Sequence, residues 1–127
     1  MQGCAYVDGE FVAHEEAKIS IFDWGFLHSD ATYDVAHVWQ GRFFRLGDHL
    51  DRFFASLRRL RLDPGKSREE VRAIAHECVR RSGLRDAYVE VLCTRVDILP
   101  TAEAGGFLLR RCGVSEAHAT ALASEGS

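Results

Sequence analysis

The sequence predicts an α+β domain made of antiparallel strands, two helices and a returning strand, followed by an irregular C-terminal tail. Three observations carry this expectation. Residues 32–39, TYDVAHVW, alternate with the period of two that marks a strand. Leu46, Leu50, Phe53, Leu57 and Leu60 step by three and four, which is one face of a helix. Residues 87–94, AYVEVLCT, return to a run rich in β-formers. Strands and helices therefore come in blocks instead of alternating, which is the α+β pattern.

Each element has a local reason. In CAYVDGEFV (residues 4–12), apolar residues flank Asp8-Gly9, a pair that accepts the positive φ of a hairpin turn. His14 to Ala17 is a polar connection, and Ile19 and Ile21 suggest a short extended piece. Residues 22–31, FDWGFLHSDA, fit neither period, and a loop this aromatic is expected to be packed or functional. Within 32–39, Tyr33, Val35, His37 and Trp39 share one face, while Thr32, Asp34, Ala36 and Val38 share the other. Gln40-Gly41 turns the chain, and residues 42–45 return as a strand.

The first helix takes Asp48 as its N-cap, is supported at its start by His49, and ends at Leu62-Asp63-Pro64-Gly65. The second opens on a capping box of Ser67 and Glu70 and buries Val71, Ile74, Ala75, Cys78 and Val79. Arg80 and Arg81 suit the negative end of its dipole, and Gly83 suits a left-handed C-cap. In the following strand, Tyr88, Glu90 and Leu92 face one way and Val89, Val91 and Cys93 the other. From residue 96 the chain is rich in Ala, Gly and Ser. The sequence therefore divides into a folded domain, residues 1–95, and a divergent, irregular or disordered tail, residues 96–127.

Composition excludes several classes. In 127 residues, 46% are apolar, which suffices for a packed core and rules out wholesale disorder. Sixteen basic against 19 acidic residues leave a net charge of −3, so no global positive field points to nucleic acid. Arg58 and Arg59 read as the solvated side of an amphipathic helix. No apolar run approaches the roughly 20 residues of a membrane span. MQGCAYVDGE lacks the basic start and apolar core of a secretory signal, so the expected location is the cytoplasm. Cys4, Cys78, Cys93 and Cys112 form no C-x-x-C pair and read as reduced thiols, and no close Cys/His spacing suggests a metal site.

Three stretches together carry a resemblance: YVDGEFV (6–12), KISIFDWGFLHSDATYDVAHVWQGRFFRLGDHLDRF (18–53) and DAYVEVLCTR (86–95). They resemble the N-terminal small domain of the class IV aminotransferases, the pyridoxal 5'-phosphate (PLP) enzymes of fold type IV. That family includes branched-chain and D-amino acid aminotransferases and aminodeoxychorismate lyases. The H-S-D-x-T-Y-D-V segment is most similar to R-selective amine transaminases.

The resemblance implies roles for particular residues. The motif F-R-L-x-x-H-x-x-R is present as Phe44, Arg45, Leu46, His49 and Arg52, and it implies that Arg52 binds the PLP phosphate. A guanidinium fork can hold two phosphate oxygens at once. Taken without the resemblance, Arg52 reads as a solvated arginine on the polar side of its helix. The resemblance further implies that His28, Tyr33, Val35, Tyr88 and Glu90 line the substrate pocket. The strand parity agrees, although an ordinary half-buried sheet would show the same parity. Glu90 lies between Val89 and Val91, where a carboxylate needs a partner, a wet cavity or an edge facing solvent.

The resemblance also marks what is missing. PLP transamination needs a Schiff-base lysine, which the family carries in a second, C-terminal domain. Here only Lys18 and Lys66 are present, and neither matches it, so no catalytic residue is assigned. After Thr94-Arg95 the family pattern gives way to Val96-Asp97. With 14 Arg, two Lys and no Asn, the gene reads as GC-rich, where a shifted frame meets stop codons less often. The expectation is a truncated or frameshifted transaminase, inactive alone, whose intact form is a homodimer acting on an amine or amino acid and a keto acid. A natural domain that ends cleanly would show the same first 95 residues. The alternatives are a non-enzymatic interaction module and an aminodeoxychorismate-lyase-like fragment. The mass of the native gene product in its own cells tests this: the expected value lies well above 14.2 kDa, and a product at that mass makes the short chain genuine.

Overall fold

The computed structural model describes residues 3–101 and 106–120. Two hairpins, each closed by a tight turn, begin the fold. Strands β1 (Cys4–Val7) and β2 (Glu10–Ala13) pair across Asp8-Gly9, both at positive φ. Strands β3 (Ala31–Trp39) and β4 (Arg42–Phe44) pair across Gln40-Gly41, also both at positive φ. Two central residues at positive φ match the right-handed twist of the strands they join. Between the hairpins lies a short helix, α1 (Trp24–Leu27), whose N-cap Asp23 accepts a hydrogen bond from the Phe26 N–H at 2.9 Å. Helices α2 (Leu46–Leu60) and α3 (Arg68–Ser82) follow, then β5 (Ala87–Thr101) and β6 (Gly106–Thr120). The six strands form one antiparallel sheet in the order β2-β1-β6-β5-β3-β4.

Both long helices pack on one face of this sheet, and their apolar stripes make the core. Leu46, Leu50, Phe53 and Leu57 of α2 are buried against β3 residues Ala36 and Val38. Val71, Ala75 and Cys78 of α3 complete the core with Val89, Val91 and Cys93 of β5. Ile74 and Val79 pack at its margin. Cys4, Cys78 and Cys93 are buried and form no disulfide among the described residues. Among the described residues, no helix is long and apolar enough to cross a membrane.

The helix ends show which local rules hold. Ser67 and Glu70 exchange the two hydrogen bonds of the capping box, at 3.1 and 3.2 Å, and Gly83 takes the left-handed C-cap at φ 72°. Helix α2 departs from expectation. Asp48 is not its N-cap: the helix already starts at Leu46, whose burial against the core draws the first turn inward. Arg45 precedes it in the left-handed conformation, and its Nε donates to Asp48 Oδ2 at 2.7 Å. At the other end, Arg61 is left-handed at φ 55°, while Leu62 N–H reaches Leu57 O at 2.9 Å and Arg61 N–H reaches Arg58 O at 3.2 Å. This is the Schellman pattern, with arginine where glycine is usual. Leu60 is 40% exposed, so the buried stripe stops a turn earlier than its spacing suggests.

Two further expectations are corrected. Ile19 and Ile21 lie in no strand, and both are exposed. The irregular tail expected from residue 96 is replaced, over 96–101 and 106–120, by the end of β5 and all of β6. Strand β6 fills the gap between β1 and β5, where backbone pairing supplies the order that an Ala- and Gly-rich composition does not signal. The rest of that tail, 102–105 and 121–127, lies outside the described residues.

Helix α1 is seated by a glycine. A Cβ on Gly25 would stand 2.5 Å from Thr94 Cβ and 2.8 Å from both Arg95 N and Asp30 O. Arg95 closes the same junction: its Nε pairs with Asp30, and its Nη2 donates to Leu60 O at 2.8 Å. Because two of the three clashing atoms are backbone, Gly25→Ala forces the segment off β5. Its expected cost is about 1–3 kcal/mol of stability, read by urea unfolding.

Candidate functional site

The most unusual group in the structure is a carboxylate on the apolar side of the sheet. Asp34 shares its face of β3 with Ala36 and Val38 and is only 4% exposed. A charge there is costly unless it is paired and its lone pairs are filled. Asp34 meets both conditions. Its Oδ2 accepts from Arg52 Nε at 2.6 Å. Its Oδ1 accepts from Arg52 Nη2 at 2.9 Å and from the Val35 backbone N–H at 3.0 Å, and lies 2.8 Å from His49 Nδ1. Three of the four contacts fall on Oδ1 and one on Oδ2, so both oxygens are engaged, Oδ1 the more heavily. Helix α2 makes this possible, because residues three apart, such as His49 and Arg52, lie side by side on one helix face.

The pair is buried at one end and open at the other. The Arg52 side chain is 70% exposed, against 3% for Asp34. Of the five N–H groups of a guanidinium, two are committed to Asp34. Of the remaining three, one on Nη1 and one on Nη2 form the outer edge, and the second on Nη1 points back toward Cδ of its own side chain. A rigid edge of parallel N–H donors carrying positive charge is suited to two oxygens of a phosphate or carboxylate.

The opposite sheet face carries the other predicted residues. In the antiparallel register, Tyr33 faces Leu92, Val35 faces Glu90 and His37 faces Tyr88. Tyr33, Val35, Tyr88 and Glu90 are therefore brought onto one surface, as their parity implied. No helix of the described residues covers this surface: Tyr33 is 62% and Tyr88 38% exposed. The His37 and Tyr88 rings stack at 5.0 Å and 20°. His28 stands apart from the strands, at the C-cap of α1, with its ring 4.0 Å from that of Trp24.

Arg52 and this surface lie on opposite sides of β3. Strand β4 pairs with β3 only at His37–Trp39. Along Ala31–Val35 the edge away from β5 has no strand partner among the described residues, and the Val35 N–H turns to Asp34. Neither lysine shares this place: Lys66 lies over the Tyr6 ring of β1 at 5.5 Å, and Lys18 is in the connection before α1.

Sequence reasoning placed Asp34 on the correct face but gave it no role, and it limited His49 to the helix start. One signal was available. An acidic residue interrupts an otherwise apolar strand face, and that position requires a cationic partner.

The architecture is an antiparallel sheet with two long helices on one face and, on one of them, an exposed guanidinium held by a buried carboxylate. Comparison with known proteins makes it specific. The sequence pattern of the amino-transferase class IV family matches residues 31–111, beyond the point at Arg95 where the pattern was expected to end. A Methanocaldococcus jannaschii protein named as a branched-chain-amino-acid aminotransferase is 36% identical over 90 residues, covering 71% of this chain and 31% of that protein. A D-alanine aminotransferase of Listeria monocytogenes is 32% identical over 89 residues, covering 70% of this chain and 31% of that protein. In three dimensions, a T.th. branched-chain amino acid aminotransferase, complexed with N-(5'-phosphopyridoxyl)-L-glutamate, superposes with a TM-score of 0.78 at 25% identity. That match covers 93% of this chain and 40% of that one. The chain belongs to the class IV aminotransferase family and corresponds to its N-terminal portion. It spans about a third of the length of the curated relatives it matches.

Stability should report the Asp34 site through pH. Burial raises the Asp34 pKa, but the hydrogen bonds from Arg52 and His49, the Arg52 charge and the Val35 N–H outweigh it, and the net shift is downward. A carboxyl whose native pKa is lowered contributes stability in full above its unfolded pKa, about 4, and loses it as pH falls through the native value. Asp34→Ala is expected to cost about 1–3 kcal/mol at neutral pH and to flatten the loss of stability below about pH 4. Urea unfolding at a series of pH values reads both effects.

Proposed function

We propose that this chain is the cofactor-phosphate and pocket-wall portion of a PLP-dependent aminotransferase, transferring an amino group between an amine or amino acid and a keto acid. The observation that carries the reading is the outward edge of Arg52, oriented by Asp34 and open to an oxyanion. Membership of the class IV family supports it. So does the phosphopyridoxyl compound bound to the T.th. structural neighbour.

When bound, PLP supplies the electron sink that stabilises negative charge on the substrate carbon. The chain's own residues bind and orient. Arg52 takes two phosphate oxygens through its outer N–H groups. Tyr33, Val35 and Tyr88 present half-open apolar and aromatic surface to the substrate, and Glu90 places a carboxylate beside them. His28, held against Trp24 at the end of α1, is the remaining pocket residue of this reading. The lysine that the chemistry requires is neither Lys18 nor Lys66 in this reading, so the 127-residue chain does not transaminate alone.

The intact protein is a cytoplasmic homodimer in the same reading. Its support is the exposed apolar surface of Ile19, Ile21, Phe22, Phe26 and Leu27, which a larger assembly would bury.

The test compares pyridoxamine 5'-phosphate with pyridoxamine, neither of which condenses with lysine. The chain is expected to bind the phosphorylated compound at least about tenfold more tightly, by isothermal titration, and Arg52→Leu to abolish the difference. Equal binding of both compounds by the unaltered chain would refute the phosphate role. PLP-dependent amino transfer by the chain with Lys18 and Lys66 both replaced would refute the lysine argument.

A further inference from the structure

We infer that Asp34 and His49 are positioning residues: they hold the Arg52 guanidinium in the one rotation that turns its outer N–H edge toward an oxyanion. The inference rests on the reading of Arg52 as the phosphate contact. It adds that the site is built from the buried side outward, with β3 supplying the anchor.

The geometry carries this. A 70%-exposed arginine would ordinarily sample many rotamers. Here Nε and Nη2 engage both oxygens of a carboxylate at 2.6 and 2.9 Å, which fixes the plane of the guanidinium as well as its position. Asp34 can serve as an anchor because it cannot itself turn. It projects from a central stretch of β3, is buried, and is tied on Oδ1 to its neighbour's backbone N–H. His49 Nδ1 adds a third contact to Oδ1, at 2.8 Å. As a donor through Nδ1 to a carboxylate, the imidazole is set in the tautomer that leaves Nε2 for other contacts.

The arrangement also has an electrostatic cost that argues for positioning. Asp34 cancels the charge of Arg52, so net charge is not what would attract an anion. A carboxylate retained beside an anion-binding arginine must return more in orientation than it removes in attraction. The two effects make opposite predictions on its removal. If Asp34 merely neutralises Arg52, a neutral residue there strengthens anion binding. If it positions Arg52, the same change weakens binding.

The experiment records side-chain Nε–H signals of the 127-residue chain by NMR, with and without inorganic phosphate. In the unaltered chain, the Arg52 Nε–H is expected to be resolved, slow to exchange and little moved by phosphate, while its Nη signals shift. In Asp34→Asn the Nε–H should join the exposed arginines, and phosphate affinity should fall roughly tenfold, the scale of an arginine's rotamer freedom. Asp34→Glu keeps the charge and should restore the protected Nε–H at least in part. It also keeps the test open if the asparagine variant unfolds. His49→Leu should weaken phosphate binding by about two- to fivefold, and His49→Gln, which keeps a donor, should not.

Unchanged or tighter phosphate binding in Asp34→Asn, or an Nε–H that survives the change, would overturn the positioning role. An unchanged affinity in His49→Leu would remove His49 from it. Failure of the underlying reading looks different. The Nε–H is then still lost in Asp34→Asn, but phosphate binding is absent or persists in Arg52→Leu, and the Asp34–Arg52 pair is reduced to a structural tie.

Discussion

The structure turns on one buried carboxylate. Asp34 lies on the apolar side of β3 and is tolerated there because α2 brings Arg52 and His49 to it. The contact ties a strand to the helix that covers it, at a point where hydrophobic packing alone would specify no lateral position. It also commits the inner half of the guanidinium to structure, which leaves the outer half oriented for a ligand. Fold and site are thus joined through a single residue, and the covalent frame of β3 decides where the positive edge faces.

The sheet divides its labour by face. One side, with Val38, Val89 and Cys93, is sealed by α2 and α3. The other side, with Tyr33, Val35, Tyr88 and Glu90, is left open by the described residues. The chain aligns with about a third of its curated relatives' length. Strand β4 is short and pairs with β3 only at His37–Trp39.

Much of this was legible in the residues. The two hairpin turns at Asp8-Gly9 and Gln40-Gly41, the stripe of α2 and the capping box of α3 are short-range devices. Their physics is complete within a few residues, and the structure has each of them. The start of α2 was misread because Asp48 is a good cap by type, whereas the burial of Leu46, a tertiary effect, moves the start upstream. Strand β6 was unreadable for a related reason. Its pairing with the distant β1 and with its chain neighbour β5 is held by backbone hydrogen bonds, which leave no periodic trace in side-chain type.

By itself, then, the sequence determined the two hairpins, the two long helices, the parity of β3 and β5, and a family resemblance dense enough to single out Arg52. These are local or pattern properties, set by backbone sterics and by which side chains can meet water. Only the tertiary structure decided that Asp34 is paired with Arg52 and that His49 belongs with them. The physical reason is that a carboxylate's partner is chosen by distance in space. Residues 34 and 52 meet only after the β3–β4 turn has folded α2 back across the sheet.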